Sequence, residues 1–195
     1  NAGDLQQAAF LIGRAHEMGT GLLAADDPDL GTITGSLAGL YISLGRHDDA
    51  EQLLIRSLTI NEKVLGSEHI EVGKNLATLA SFYARFGRYD EAESHFVRAR
   101  GIAVESYGPD HLVTAAISAN LATIYCDRAR YPEAEAMTEA ALAIYRDKAP
   151  THPGMSTLMA NLGTIYLMTN RLEEAEIAYV KALEFLERHT PADSF

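Results

Sequence analysis

Residues 87–93 read GRYDEAE, and residues 129–135 read ARYPEAE 42 positions later. Two related copies flank them, GRHDDAE at residues 45–51 and NRLEEAE at residues 170–176. The arginine of this segment recurs at intervals of 42, 42 and 41 residues. Self-similarity at a fixed period of roughly 20–50 residues indicates a solenoid of stacked structural units.

Further columns keep the same spacing. A leucine and a tyrosine precede the segment in every copy: Leu37, Leu79, Leu121 and Leu162, then Tyr41, Tyr83, Tyr125 and Tyr166. Small residues follow in two columns: Ala50, Ala92, Ala134 and Ala175, then Ser57, Ala99, Ala141 and Ala182. A weaker fifth copy at the start of the chain aligns Gly3, Ala8 and Ala15 with these columns. The small columns predict close helix crossings, because a larger side chain would push the two helices apart.

The apolar residues of each unit follow a helical period. In the third unit, Val113, Ile117 and Leu121 are four residues apart and therefore share one helix face. The pattern breaks at Gly45, Gly87 and Asn170, residues that readily take the left-handed conformation at the end of a helix. Ala129 occupies the same column, and we expect a different turn there.

The pattern predicts an all-α solenoid of antiparallel helix pairs with about nine helices. A lone helix is expected near residues 4–23. The first helices of the pairs are predicted over 29–44, 69–86, 111–128 and 153–169, and the second helices over 48–65, 90–107, 132–148 and 173–188. The predicted organisation is a tag remnant at 1–2, a truncated repeat at 3–28, repeats at 29–66, 67–108, 109–150 and 151–189, and a tail at 190–195.

The composition narrows the classes of partner. The chain has 195 residues and a formal net charge of −11, which argues against nucleic acid or an anionic membrane as the main partner. Its single cysteine, Cys126, excludes an internal disulfide and any multi-cysteine metal site. We see no apolar run of the roughly 20 residues that a membrane span needs, and we expect a cytoplasmic protein.

The sequence carries no pattern typical of an enzyme or a metal protein. His69, His111 and His152 share one column at the entrance of the first helices. Neighbouring repeats lie roughly 10 Å apart, too far for these rings to share one ion, so we expect capping or loop packing. An HExxH motif, a glycine-rich phosphate loop and a GxSxG elbow are all missing from the sequence. We therefore predict no catalytic residues, no metal and no cofactor.

One set of residues resembles a known family. The spacing Leu121-Ala122-x-x-Tyr125, followed by Ala134 and Ala141, is similar to the tetratricopeptide repeat. The 42-residue period, with Leu-Gly-x-x-His at residues 65–69 between units, resembles the repeats of kinesin light chain. The resemblance implies a right-handed superhelix whose concave wall is lined by the first helix of each repeat.

The same resemblance implies where a ligand binds. An extended peptide lies in the groove of such proteins, and an asparagine five residues before the tyrosine bonds its backbone. Asn120 and Asn161 hold that position here, whereas Ser36 and Thr78 replace it in the first two repeats. An asparagine side chain offers both a donor and an acceptor, so it pairs with a peptide group as another backbone would.

Helical spacing adds further candidates on the groove face. Lys74 and Arg85 are eleven residues apart, which is three helical turns, and could anchor a carboxylate or an acidic peptide. The alternative is that both are solvated cations with local glutamate partners. The remaining candidates for peptide binding are Thr78, Thr123, Asp127 and Thr164.

These observations favour a scaffold that binds an extended segment of a protein partner. The alternative is a sensory or regulatory domain that controls an attached output module. We also expect that exposed repeat ends could pair in a homodimer. An enzyme is disfavoured, because it would need a cluster of polar groups in one pocket that the sequence does not indicate.

Overall fold

A computed structural model describes residues 7, 10–14, 17–18 and 27–189. Residues 7, 10–14 and 17–18 are helical, and the rest of the helix predicted near 4–23 lies outside the described residues. Eight helices follow: α1 (Pro28–Ser43), α2 (His47–Leu65), α3 (Ile70–Arg85), α4 (Tyr89–Tyr107), α5 (Leu112–Asp127), α6 (Tyr131–Lys148), α7 (Gly154–Met168) and α8 (Leu172–His189). The all-α class is confirmed, and each predicted bound of these eight helices is within one residue of the observed one.

The chain forms two compact units, unit 1 at residues 1–102 and unit 2 at residues 103–195, and the boundary falls inside α4. In unit 1, α2 packs against both α1 and α3. In unit 2, α6 packs against both α5 and α7, and α7 packs against α8. Turns of three residues join the helices of each pair, which makes the paired helices antiparallel.

The small columns lie where the pairs cross, as predicted. Their members are all buried: Ala50, Ser57, Ala92 and Ala99 in unit 1, and Ala134, Ala141, Ala175 and Ala182 in unit 2. The first helix of the last pair fills the space beside one such crossing in unit 2. Met155, Leu158 and Leu162 of α7 join Leu142 and Tyr145 of α6 in one buried cluster.

The turn at Ala129 is the same as the turns at its glycine equivalents, so the expectation of a different turn was wrong. Ala129 has φ 57°, beside 75° for Gly45, 72° for Gly87 and 61° for Asn170. The amide of the next residue, Arg130, donates to the carbonyl of Tyr125 at 2.8 Å, a bond that recurs in the other turns. This bond caps the helix end and holds alanine in a conformation that costs about 1–2 kcal/mol.

A histidine lies one or two residues before the first residue of three helices, α3, α5 and α7. The Nδ1 atoms of His69 and His111 accept hydrogen bonds at 3.2 Å from the amides two residues later, and that of His152 accepts one at 3.0 Å. The rings of Tyr107 and His111 stack with centroids 4.5 Å apart, and those of Tyr145 and His152 with centroids 4.8 Å apart. The expected capping role is confirmed for His69 and His111, whereas Pro153 is the N-cap residue after His152.

An arginine also ties successive repeats together, a role that the sequence did not reveal. In unit 1, the Arg88 guanidinium lies 4.0 Å over the Tyr83 ring and 2.7 Å from Glu51 Oε1 in the preceding repeat. In unit 2, Arg171 lies 4.1 Å over Tyr166 and 2.8 Å from Glu135 Oε1. The arginine and glutamate columns of the sequence thus include ion pairs that join neighbouring repeats.

Candidate functional site

The first helices of the two pairs in unit 2, α5 and α7, form an open pocket together with α6. This unit 2 pocket has a volume of about 200 Å³ and carries both polar and apolar side chains. Asn120, Thr123 and Asn161 all line it, and Asn161 Nδ2 lies 3.4 Å from Thr123 Oγ1. The structure therefore brings three of the predicted site residues together. Leu158 and Tyr145 line the same pocket as apolar and aromatic surface.

Unit 1 has an equivalent pocket between α1, α2 and α3. This unit 1 pocket, of about 250 Å³, is lined by two predicted site residues, Lys74 and Thr78. Lys74 Nζ lies 2.7 Å from Glu71 Oε1 one turn earlier on the same helix. Lys74 thus has a local glutamate partner, as the alternative interpretation of this lysine expects.

Three predicted site residues lie outside these two pockets. Arg85 and Asp127 are the last residues of α3 and α5. Thr164 Oγ1 lies 3.0 Å from the Tyr179 hydroxyl and donates to the carbonyl of Ala160 at 3.2 Å. The hydroxyl of Thr164 is therefore engaged between α7 and α8.

The unit 1 pocket has a polar floor that the sequence analysis did not single out. Ser57 and Asn61 of α2 meet Asn75 of α3, and all three line the pocket. The sequence does distinguish Asn75 from its equivalents in the other repeats, which are Ile33, Ile117 and Leu158. An asparagine in an otherwise aliphatic column marks a polar group inside the packed part of the repeat.

The histidine, cysteine and acidic side chains of the described residues form no metal-binding cluster. No group of three or more histidine, cysteine, aspartate or glutamate side chains in this part of the chain is placed to hold a metal ion. Burial raises the pKa of the half-buried Cys126 thiol, and the carboxylate of Asp127 raises it further. A raised thiol pKa lowers the fraction of thiolate, the nucleophilic form. Within the same residues, none of the helices has the length and apolar character to cross a membrane.

Comparison with protein families identifies the repeat. Profiles described as tetratricopeptide repeat match residues 31–71, 72–147 and 114–188 of this chain. Together they account for most of the sequence. No curated protein matches the chain in sequence with significance.

Solved structures with the same fold include several repeat proteins. The structure of BtubC (BKLC) from P. vanneervenii has 26% identity and a TM-score of 0.85, over 96% of this chain and 75% of that one. A putative kinesin light chain of Podosopora anserina with nearly identical TPR-like repeats has 22% identity and a TM-score of 0.80, over 98% and 91% of the two chains. The apo form of RapI has 15% identity and a TM-score of 0.83, over 94% and 65%. The predicted solenoid class and the kinesin-light-chain-like character of the repeats are confirmed.

Proposed function

Because the chain belongs to the tetratricopeptide repeat family, we propose that it is a non-enzymatic scaffold that binds an extended peptide segment of a partner protein. The observation that carries the proposal is the unit 2 pocket, where Asn120 and Asn161 from consecutive first helices line one open pocket. An extended peptide exposes its own N–H and C=O groups. It therefore needs a surface that offers donors and acceptors together.

The two asparagines supply that surface. Each side-chain amide has two N–H donors and one carbonyl, so it can pair with both groups of a peptide unit. Thr123, next to Asn161, adds a hydroxyl to the same wall. The apolar side of the pocket, formed by Leu158 and Tyr145, suits one small or aliphatic side chain of the peptide.

In unit 1 we assign an electrostatic role to the cations of α3. Lys74 lies in the first half of this helix, and Arg85 is its last residue. The Lys74–Glu71 pair is half exposed, and such pairs contribute little to stability, so a carboxylate of the peptide can compete for the ammonium group. A partner segment with an acidic residue would be attracted here, although the chain as a whole is acidic.

The rival proposal is a sensory or regulatory domain that uses the same pockets to control an attached module. Both proposals place the protein in the cytoplasm, with a protein or peptide as partner and without nucleic acid or membrane binding. The two differ in the consequence of binding, which is either simple retention of the partner or a change in the attached module. Both proposals are tested first by identifying the ligand.

Affinity capture from the source lysate tests the proposal. We compare the chain with the double variant Asn120→Ala/Asn161→Ala, and quantify the captured proteins by mass spectrometry. We expect at least one protein to be retained by the original and to fall by about tenfold in the variant, as the loss of one or two hydrogen bonds predicts.

The matched control is Gln52→Ala, which removes an exposed side-chain amide on α2 outside both pockets. It should capture the same protein as the original chain. Equal capture by all three chains would move recognition away from the unit 2 pocket and contradict the proposal.

A further inference from the structure

The floor of the unit 1 pocket is polar at three positions where the next repeat is apolar. Ser57, Asn61 and Asn75 occupy columns that are held by Ala99, Ala103 and Ile117 in that repeat. Ser57 is completely buried and Asn61 is only 6% exposed. Burial of polar side chains costs free energy unless their hydrogen bonds are satisfied, and the next repeat is built without them. Such departures from a local rule are expected where function requires them.

The three side chains form one hydrogen-bonded chain. Ser57 Oγ donates to the carbonyl of Gly31 at 2.8 Å, and Asn75 Nδ2 donates to Ser57 Oγ at 2.8 Å. Asn61 Nδ2 in turn donates to Asn75 Oδ1 at 2.7 Å. The chain orients both amides but does not saturate them. In these bonds each asparagine uses one of its two N–H donors, and Asn75 uses one of two lone pairs on its oxygen.

The opposite wall of the pocket is formed by α1, which has a glycine at two of the four positions that line it. These are Gly31 and Gly35, and the other two are Thr32 and Ser36. A Cβ atom at Gly31 would collide with Asn61 Oδ1, and one at Gly35 would lie 3.2 Å from Ser57 Oγ. The absence of side chains at Gly31 and Gly35 therefore leaves room for Asn61 and Ser57 at the floor, and the pocket above them has a volume of about 250 Å³.

The rim of the pocket is charged, whereas its floor is neutral. Glu71 and Lys74 both line the pocket, and their charged groups pair with each other at 2.7 Å. The floor itself offers uncharged donors and acceptors. A carboxylate bound at the floor would meet no opposite charge there, and an aliphatic group would cover the amides without bonding to them. A polar group left unpaired in this way costs binding free energy.

We propose that the unit 1 pocket binds the side-chain carboxamide of an asparagine or glutamine in the partner peptide. The ligand carbonyl accepts the second N–H of Asn61 or Asn75, and the ligand amide group donates to Asn75 Oδ1. A carboxamide is the side-chain group that returns one donor and one acceptor to an amide floor. This inference rests on the proposed function, since it specifies which peptide the scaffold prefers.

Selection from a phage-displayed library of random octapeptides tests the inference. The baits are the original chain and the triple variant Ser57→Ala/Asn61→Ala/Asn75→Ile, which copies the side chains of the next repeat. We expect the original chain to enrich peptides with asparagine or glutamine at one fixed position. The triple variant should enrich aliphatic residues at that position instead. The best synthetic peptide should lose about tenfold in affinity by fluorescence polarisation when its carboxamide residue becomes leucine or glutamate.

A structural role for the same residues makes different predictions. If the polar chain only supports the fold, the triple variant should melt at a lower temperature and select the same peptides as the original. We expect it to melt at an equal or higher temperature, because its apolar replacements suit their columns. Asn75→Ile alone serves as a second bait if the triple variant does not fold.

The outcomes separate the two proposals. Peptides enriched without a carboxamide preference, or with an unchanged preference on the variants, overturn this inference and leave the scaffold proposal in place. Failure of the original chain to enrich any peptide overturns both.

Discussion

Single residues decide how each repeat turns and where each helix begins. Ala129 shows that the turn geometry is imposed by its surroundings, because an alanine adopts the left-handed conformation that glycine adopts at two equivalent positions. The His111 ring makes two contacts at a helix start. It accepts a hydrogen bond from the amide of Val113 and stacks on the Tyr107 ring. Changes at these positions should therefore affect stability more than ligand binding.

Replacing Ala129 with glycine should stabilise the chain. The left-handed conformation costs alanine about 1–2 kcal/mol, and glycine avoids this cost. Glycine is also more flexible in the unfolded chain, which offsets part of the gain, so we expect a net stabilisation of about 0.5–1 kcal/mol. Urea unfolding monitored by circular dichroism measures it. The reciprocal change, Gly87→Ala, should lose about 1 kcal/mol in the turn with φ 72°. A loss at Ala129→Gly would show that the alanine methyl group makes a favourable contact.

Replacing His111 with alanine should destabilise the chain by about 1 kcal/mol, because the amide of Val113 loses its capping acceptor. His111→Asn should restore most of that stability, since asparagine is a good N-cap residue. Both variants lose the stacking on Tyr107, so the difference between them isolates the cap. Thermal unfolding of the three chains decides this prediction, and equal stability of the two variants would contradict it.

At the scale of the helices, a stacked arginine with two glutamates joins α4 and α8 each to the repeat before it. Arg88 bonds to Glu91 in the first turn of α4 and to Glu51 of the preceding pair. Arg171 makes the same two bonds with Glu174 and Glu135. Each of these arginine side chains thus orients a helix start and fixes the register of two neighbouring repeats.

These bonds make stability depend on pH in the acid range. The hydrogen bond from Arg88 lowers the pKa of Glu91 below its ordinary value of 4.5, and that from Arg171 does the same for Glu174. A carboxyl group whose pKa is lower in the folded state stabilises it above the unfolded pKa, and this contribution is lost as pH falls through the folded pKa.

We therefore expect the melting temperature to be nearly constant from pH 7 to about pH 5 and to fall below about pH 4.5. The variant Glu91→Gln/Glu174→Gln should melt lower at pH 7 and lose less on acidification. Melting temperatures measured by circular dichroism between about pH 3 and 7 would show this. Parallel curves for the two chains would mean that other carboxylates dominate the acid dependence.

At the scale of the whole molecule, the same apolar columns are buried on α6 and exposed on α8. Leu142 and Tyr145 of α6 are 3% and 6% exposed, beneath Met155 and Leu158 of α7. The same two columns on α8 are held by Leu183 and Leu186, which are 61% and 43% exposed. Exposed apolar surface of this kind is typical of contact sites, and we propose that a second copy of the chain covers it.

Sedimentation equilibrium tests that homodimer. We expect the weight-average mass to rise from monomer towards dimer with concentration, and Leu183→Glu/Leu186→Glu to remain monomeric because charge is inserted into the contact. Ile55→Glu, the same kind of change at an exposed apolar residue of α2, should dimerise as the original does. A monomer at every concentration of the original chain would rule the homodimer out.

The sequence by itself determined the elements of this protein. The 42-residue period, the small columns and the turn residues predicted the bounds of α1 to α8 to within one residue, because helix starts, helix ends and close crossings depend on residues near each other in the chain. The same columns placed Asn120 and Asn161 on equivalent faces of consecutive first helices. Their meeting with Thr123 in one pocket follows from the constant repeat geometry.

Only the tertiary structure decided which side chains meet across repeats. The link from Arg88 to Glu51 and the chain from Gly31 through Ser57 and Asn75 to Asn61 are not apparent from a single repeat. The physical reason is that hydrogen bonds need donor and acceptor within about 3 Å. A periodic sequence specifies which faces pack together, whereas the positions of individual polar atoms depend on the side chains that surround them.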